Sequence, residues 1–425
     1  MIARLGYSLL FYLAMPLVWL RLLWRARRQR EYLQHLGERH GFHARRPARP
    51  LIWLHAVSVG ETRAAEPLIR ALLQAYPEHG LLLTHMTPTG RATAAALLAS
   101  FPERLTQAYL PYDLPGASAR FLDHFQPQVG LLMETELWPN LLHAASRRRL
   151  PMLLINARLS VRSQRGYRRL ASLMRPALAS LRGVAAQTAA DAERLQQLGA
   201  TATTICGNLK FDVVPGAAQL QLGAGWRQAF GRRPVWLLAS SREGEEALVL
   251  DAFAAMRVAD LLLVLVPRHP QRFAEVAELV AARGLAFCRR SAGALPGSTT
   301  QVWLGDSMGE MAAYYALANV ALIGGSLLPF GGQNLIEAAA CGCPVLLGPH
   351  SFNFAQASED AIACGAARRV GDAAEAAAAV SELLADGSRL AAMSDAARCF
   401  SQAHRGATAR TLALIEGVMA PRKGY

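Results

Sequence analysis

LIWLHAVSVGETRAAEPL (51–68) decides the fold. Its apolar start, LIWLHA (51–56), reads as a strand buried on both faces, and the residues after Gly60 read as a helix. The same couplet recurs at GLLLTH (80–85), QVGLLM (128–133), PMLLIN (151–156) and GVAAQ (183–187), each followed by a helical pattern. Such alternation predicts βαβ units around a parallel sheet. The rhythm stops near TTICGNLKFD (203–212) and restarts at PVWLLAS (234–240). It then runs through LLLVLVP (261–267), TQVWLG (300–305), NVALIGG (319–325) and PVLLG (344–348). We therefore expect an α/β protein of two Rossmann-like domains, 51–208 and 234–425, joined by a linker at 209–233 and preceded by a separate segment, 1–50. In such sheets ligands sit beyond the carboxyl ends of the strands, so chemistry is sought just after each apolar run and in a cleft between the halves.

Segment 1–50 has its own character. LGYSLLFYLAMPLVWL (5–20) is uncharged between Arg4 and Arg21. A helix of its 16 residues is roughly 24 Å long at ~1.5 Å per residue, short of a ~30 Å hydrocarbon core, which predicts an interfacial or tilted anchor. Tyr7, Tyr12, Trp19 and Trp24 suit the headgroup region. Residues 21–50 hold nine arginines (21, 25, 27, 28, 30, 39, 45, 46, 49) against Glu31 and Glu38, half of the formal +14. Residues 5–49 are thus expected to meet an anionic membrane surface from the cytoplasmic side. A cleaved signal peptide fits poorly, because no small-residue cleavage site follows. Nucleic acid is not the expected partner, since no stacking-aromatic pattern accompanies the charge. The six cysteines form no C-x-x-C pair or regular framework, so reduced thiols and no metal site are expected.

Several residues sit where chemistry is sought. Ser58-Val-Gly-Glu61 fits a capping box. The same corner would aim Glu61 at a substrate, with the helix dipole keeping it ionised as a proton acceptor requires. LLMETELWPN (131–140) places Glu134 and Glu136 at another strand end, as a solvated helix start or as a second acidic group, while Trp138 reads as core. The chain has 43 arginines but only two lysines, Lys210 and Lys423, so Lys210 is either a surface survivor or a site needing a compact ammonium. Arg268 in VPRHP (266–270) can clamp a phosphate, and the glycine loops GDSMGEM (305–311) and GGSLLPFGGQN (324–334) expose amides to an anion. Asn334 and Glu337 pair a helix start for phosphate with a carboxylate for ribose hydroxyls.

Ten ordered motifs carry a resemblance over nearly the whole chain: SVGE, MTPTG (86–90), YLPYDLP (109–115), METELWPN, NARLS (156–160), LKFD (209–212), VPRHP, GDSMGE, GGQN-LIEAA and GPHSFNF (348–354). Together they resemble the 3-deoxy-D-manno-octulosonic acid (Kdo) transferases of lipopolysaccharide assembly. The resemblance implies a GT-B glycosyltransferase fold and inverting transfer of Kdo from CMP-Kdo to lipid IVA at the inner membrane, without a cofactor. It puts the general base on Glu61 and transition-state stabilisers on Glu134 and Lys210. CMP-Kdo contacts fall on Pro267 and Arg268, on Met308, Gly309 and Glu310, and on Asn334, Leu335, Ile336 and Glu337. Gln333 stands where the family pattern has an imidazole, a departure expected to leave the core chemistry intact. A GT-B enzyme using a UDP-sugar is the nearer rival and a basic, non-enzymatic surface binder the distant one.

Overall fold

The structure, a computed structural model, describes residues 2–27, 29–44 and 47–420. Arg28, Arg45, Arg46 and Lys423 lie outside the described residues. The chain forms two compact units, one of residues 2–213 with 405–420, the other Val214–His404.

In the first unit seven strands pair in parallel: β1 (Leu51–His55), β2 (Gly80–His85), β3 (Leu105–Tyr109), β4 (Val129–Met133), β5 (Met152–Ala157), β6 (Gly183–Ala186) and β7 (Thr203–Ile205). Their order is β3-β2-β1-β4-β5-β6-β7, so the winding reverses between β1 and β4. The second unit has β8 (Val235–Ser241), β9 (Leu262–Pro267), β10 (Phe287–Arg289), β11 (Val302–Leu304), β12 (Val320–Ile323), β13 (Val345–Leu347) and β14 (Ala367–Arg369). Its order is β10-β11-β9-β8-β12-β13-β14, reversing between β8 and β12. At each reversal the crossover helices diverge to opposite faces and leave a crevice at the strand ends. Central strands such as β1, β4 and β9 are buried along their whole length by helices on both sides, as their unbroken apolar runs require.

The expected boundaries differ from these units in two places. Residues 209–233 are not a free linker: Leu209–Asp212 is a 3-10 turn of the first unit, and Ala217–Phe230 is a helix whose Trp226 packs on Trp303 and Tyr314 of the second. The chain then returns from the second unit, and helix Ala407–Met419 buries Ala407 and Ile415 among Ile52, Leu68 and Ile69 of the first. Asp212 caps that returning helix by accepting from the Gly406 and Thr408 amides, which accounts for the aspartate of LKFD.

The N-terminal helix is longer than its uncharged stretch. It runs Ile2–Ala26, 25 residues, roughly 37 Å at ~1.5 Å per residue, and is apolar and long enough to cross a membrane by length and composition. The uncharged stretch 5–20 keeps its own length inside this longer helix, with Arg4 and Arg21 flanking it. One face, however, is docked on the first unit: Phe11, Met15 and Val18 pack on Tyr112, Leu114 and Ala117. Ser8 Oγ and Arg4 Nη1 donate to Asn140 Oδ1 at 3.0 and 3.2 Å, and Asp113 holds Asn140 through its backbone amide at 3.0 Å. YDLP and WPN are thus the seat of this helix. Its other face presents Leu5, Leu9, Leu13, Leu17, Leu20 and Trp24, each 55–69% exposed. Two of the four aromatic belt residues turn inward instead: Tyr7 lies against Phe11, and Trp19 stacks on His40. Arg39 is likewise withdrawn from any lipid surface, buried with its guanidinium 4.0 Å from the Tyr109 ring centroid.

Candidate active site

In the first unit the crevice lies between the ends of β1 and β4. Ser58 caps the helix Val59–Ala75 that follows β1. The Glu61 carboxylate folds back to accept the Val57 amide at 2.8 Å and the Ser58 hydroxyl at 3.2 Å. The cap therefore fixes both the helix start and the carboxylate's orientation. Burial first, then the negative charge of Glu134, raise the Glu61 carboxyl from its usual range to about 7, against the Val57 and Ser58 hydrogen bonds. The helix dipole expected to keep it ionised is therefore opposed here. Desolvation and like charge outweigh the two hydrogen bonds.

Glu134, after β4, is buried and sits in the left-handed backbone region at φ 55°, unusual for a residue with a side chain. Its Oε1 accepts Lys210 Nζ at 3.1 Å and its Oε2 accepts Arg158 Nε at 2.9 Å. Burial is the largest influence and works upward, but the two cations together outweigh it and hold the carboxyl below its usual range. Glu136 points differently. It accepts Trp138 Nε1 at 2.9 Å, and burial raises its carboxyl. Lys210 is carried by the 3-10 turn after β7, positioned by Asn156, whose Oδ1 accepts the Leu209 amide at 3.0 Å and whose φ is 49°. The surface-survivor reading of Lys210 fails, because its side chain is only 16% exposed and paired. Sequence reasoning missed Arg158 and Asn156 as site residues, although both lie in NARLS.

In the second unit Arg268 leaves the end of β9, its amide donating to Ser241 O at 3.0 Å. Pro267 before it is buried. Asn334 caps the helix Leu335–Ala340 by accepting the Ile336 amide at 3.1 Å, with Leu335 and Ile336 buried beneath. Glu337 and Arg268 both act electrostatically on the buried Tyr315, which places them around one side chain. Met308 is 58% exposed beside Gly309, whose φ is 83°. Glu310 is held by Arg290 Nε and Nη2 (3.1 and 3.0 Å) and by Ser307 Oγ at 2.5 Å.

Two further acids, unnoticed in the sequence, set the loops here. Glu245, buried, accepts the amides of Arg242 (2.9 Å), Gly325 (2.6 Å) and Leu327 (3.0 Å), pinning the end of β8 to the loop after β12. Glu246 takes Arg272 Nη1 at 2.5 Å and Ser241 Oγ at 2.6 Å. Ser240, near the end of β8, has φ 58°, and a side chain at Gly324 would meet Ser240 O at 2.4 Å, so the two segments touch backbone to backbone. In SSREGEE (240–246) these acids look like an ordinary acidic first turn, so the sequence held no signal for their role.

Two parallel seven-stranded sheets, each opening a crevice at its strand ends, make up a GT-B-type fold. The putative UDP-N-acetylglucosamine 2-epimerase from Listeria monocytogenes shares the fold with a TM-score of 0.60 at 14% identity, covering 88% of this chain and 97% of that one. A glycosyltransferase from Rickettsia africae ESF-5 gives 0.60 at 13% identity over 88% and 99%. Residues 34–213 match the family model for 3-deoxy-D-manno-octulosonic-acid transferase (kdotransferase). The 3-deoxy-D-manno-octulosonic acid transferase of Bordetella pertussis is 50% identical over 415 residues, 94% of this chain and 96% of the relative. That of Haemophilus influenzae is 38% identical over 361 residues, 83% of each. The chain belongs to the Kdo transferase family.

Proposed function

We propose that this enzyme transfers Kdo from CMP-Kdo to lipid IVA in lipid A and lipopolysaccharide assembly, on the cytoplasmic side of the inner membrane, with Glu61 as general base. The observation that carries the reading is Glu61 itself: a carboxylate oriented by Val57 and Ser58 and raised to about 7, where a base can both take and hold a hydroxyl proton near neutral pH. A glucosamine hydroxyl of the lipid gives its proton to Glu61 as its oxygen attacks the Kdo anomeric carbon. The bond from that carbon to the phosphate oxygen of CMP breaks on the opposite face, so configuration inverts and CMP leaves as a phosphate monoester.

Charge then has to be balanced at two places. Lys210, fixed by Glu134, offsets the Kdo carboxylate or the developing negative charge at the reacting centre, and Glu134 stabilises the positive character of the sugar. Pro267 and Arg268, the loop Met308 to Glu310 and the helix start Asn334 to Glu337 hold CMP-Kdo. Arg268 and the loop amides take the phosphate, and Glu337 takes ribose hydroxyls. The exposed apolar face of Ile2–Ala26, with the basic residues that follow, seats the enzyme on anionic lipid beside its acceptor.

Incubation with CMP-Kdo and lipid IVA followed by mass spectrometry of the lipid should show added Kdo. Unmodified lipid with intact CMP-Kdo would refute the reading. A thermal-shift comparison should show stabilisation by CMP over UDP; the reverse would favour a UDP-sugar donor.

A further inference from the structure

Helix Val161–Arg169 follows β5, at the same end of the sheet as Glu61 and Glu134, and Ser160 caps it. Arg162, Arg165 and Arg169 fall on one face at i, i+3 and i+7, with Gly166 between them, and all four are exposed. The other face is fixed: Gln164 is buried and donates to Gln197 at 2.8 Å, and the Tyr167 hydroxyl lies 3.5 Å from Thr135 O, next to Glu134.

Three features of the exposed face are unfavourable to the helix and unexplained by packing. Among the described residues, none of Arg162, Arg165 or Arg169 has a carboxylate within ion-pair distance. Arg162 lies in the first turn, which contains no acid, where the helix dipole disfavours a cation, and like charges repel at i, i+3 and i, i+4. Gly166 weakens a helix interior, yet a Cβ added there would meet nothing within 4 Å, so no neighbour requires its absence. An anion seated over Gly166 offsets the first two, by neutralising the guanidinium groups, and accounts for the third, by filling the hollow lined by Val161, Arg162, Arg165 and Arg169 that a side chain at 166 would occupy.

We infer that the Arg162–Arg165–Arg169 face over Gly166 is a binding site for a phosphate monoester of the lipid acceptor. The inference rests on the proposed acceptor, a phosphorylated diglucosamine lipid. Planar guanidinium groups suit two-point phosphate binding. Helix Ala171–Ala179 follows directly and touches the N-terminal helix Ile2–Ala26. The arginine face is thus one helix removed from the helix whose exposed leucines would meet the lipid chains.

The test compares the full-length wild type with the triple variant Arg162→Gln/Arg165→Gln/Arg169→Gln and with Gly166→Glu, which puts a carboxylate into the hollow while improving helix propensity. Acceptor KM is measured with lipid IVA and with phosphatase-treated lipid IVA, together with partition onto phosphatidylglycerol vesicles. Both variants should raise KM for lipid IVA about tenfold or more. They should leave kcat, the KM for CMP-Kdo, the KM for dephosphorylated acceptor and vesicle partition unchanged. An unchanged KM for lipid IVA, an equal rise for both acceptors, or lost partition with no acceptor-specific effect would overturn the inference, the last assigning the face to bulk lipid. Binding of a short-chain diglucosamine bisphosphate, followed by calorimetry, separates the two readings. If the wild type binds it and the triple variant does not, while neither transfers Kdo, the proposed reaction fails and the phosphate site stands.

Discussion

Glu61 is expected to govern the pH dependence of the reaction. With its carboxyl raised to about 7 by burial and by Glu134, kcat/KM should rise with pH through that value, as the carboxylate forms, and level off above it. Glu61→Gln should abolish transfer while leaving CMP-Kdo binding largely intact, and near-normal turnover would sink the assignment. The same residue makes a stability prediction. A carboxyl whose folded pKa lies above its unfolded value favours the native state when protonated, and this contribution is lost as pH rises between the unfolded value, ordinarily near 4.5, and about 7. Glu61→Gln should therefore melt at the same temperature as wild type at pH 4 and higher than it at pH 8, which calorimetry at the two pH values checks. Arg158 acts on Glu61 through Glu134. Arg158→Ala leaves Glu134 with Lys210 as its remaining bonded cation among the contacts described, so the field at Glu61 becomes more negative. The acid limb of the pH–rate profile should then move to higher pH, whereas a purely structural defect would lower the rate at every pH alike. Lysine was legible at position 210 because it is rare in this sequence. Arg158 was not, because one arginine among 43 carries no contrast.

Strands and loops show the same dependence on contrast. The inner strands were legible from their apolar runs, but β3, β7, β10 and β14 were not, and these are the four strands at the edges of the two sheets. Edge strands are covered less completely: β7 and β10 contain no fully buried residue, so LTQAY, TTI, FCR and ARR carry no continuous apolar signal. Of the phosphate-type loops, the glycines could be read and their support could not. Glu245 and Glu246 look like an ordinary acidic first turn, and only the fold brings Gly325 and Leu327 onto Glu245. Glu245→Gln supplies one acceptor oxygen where two serve three amides. It should lower stability by about 1–3 kcal/mol, the cost of leaving buried amides unpaired. CMP affinity should weaken by calorimetry as the loop after β12 loosens, with the acceptor KM unchanged. Wild-type affinity in this variant would show that the loop holds its shape without the carboxylate.

Across the chain, what sequence periodicity cannot report is which distant segments share a core. The helix Ala407–Met419 reads as the natural end of the second α/β series, yet its apolar side completes the first unit, with Asp212 as its cap. The N-terminal helix shows the reverse limitation. Its hydrophobicity announced a membrane element, while its one-sided attachment depends on partners more than a hundred residues away, Asn140 above all. The two faces make opposite predictions. Leu9, Leu13, Leu17 and Leu20 are 62–69% exposed, so replacing all four by Ser should leave the melting temperature in detergent nearly unchanged. Each leucine immersed in lipid is worth about 1.5–3 kcal/mol, so the set should reduce partition onto anionic vesicles by at least about a hundredfold. Asn140→Ala should do the converse. Ser8 loses its acceptor and the Asp113 carbonyl loses a donor at 2.7 Å, lowering stability by about 1–3 kcal/mol while vesicle partition is kept. Partition that falls with Asn140→Ala and survives the leucine replacements would mean that the docked face, not the exposed one, meets the membrane.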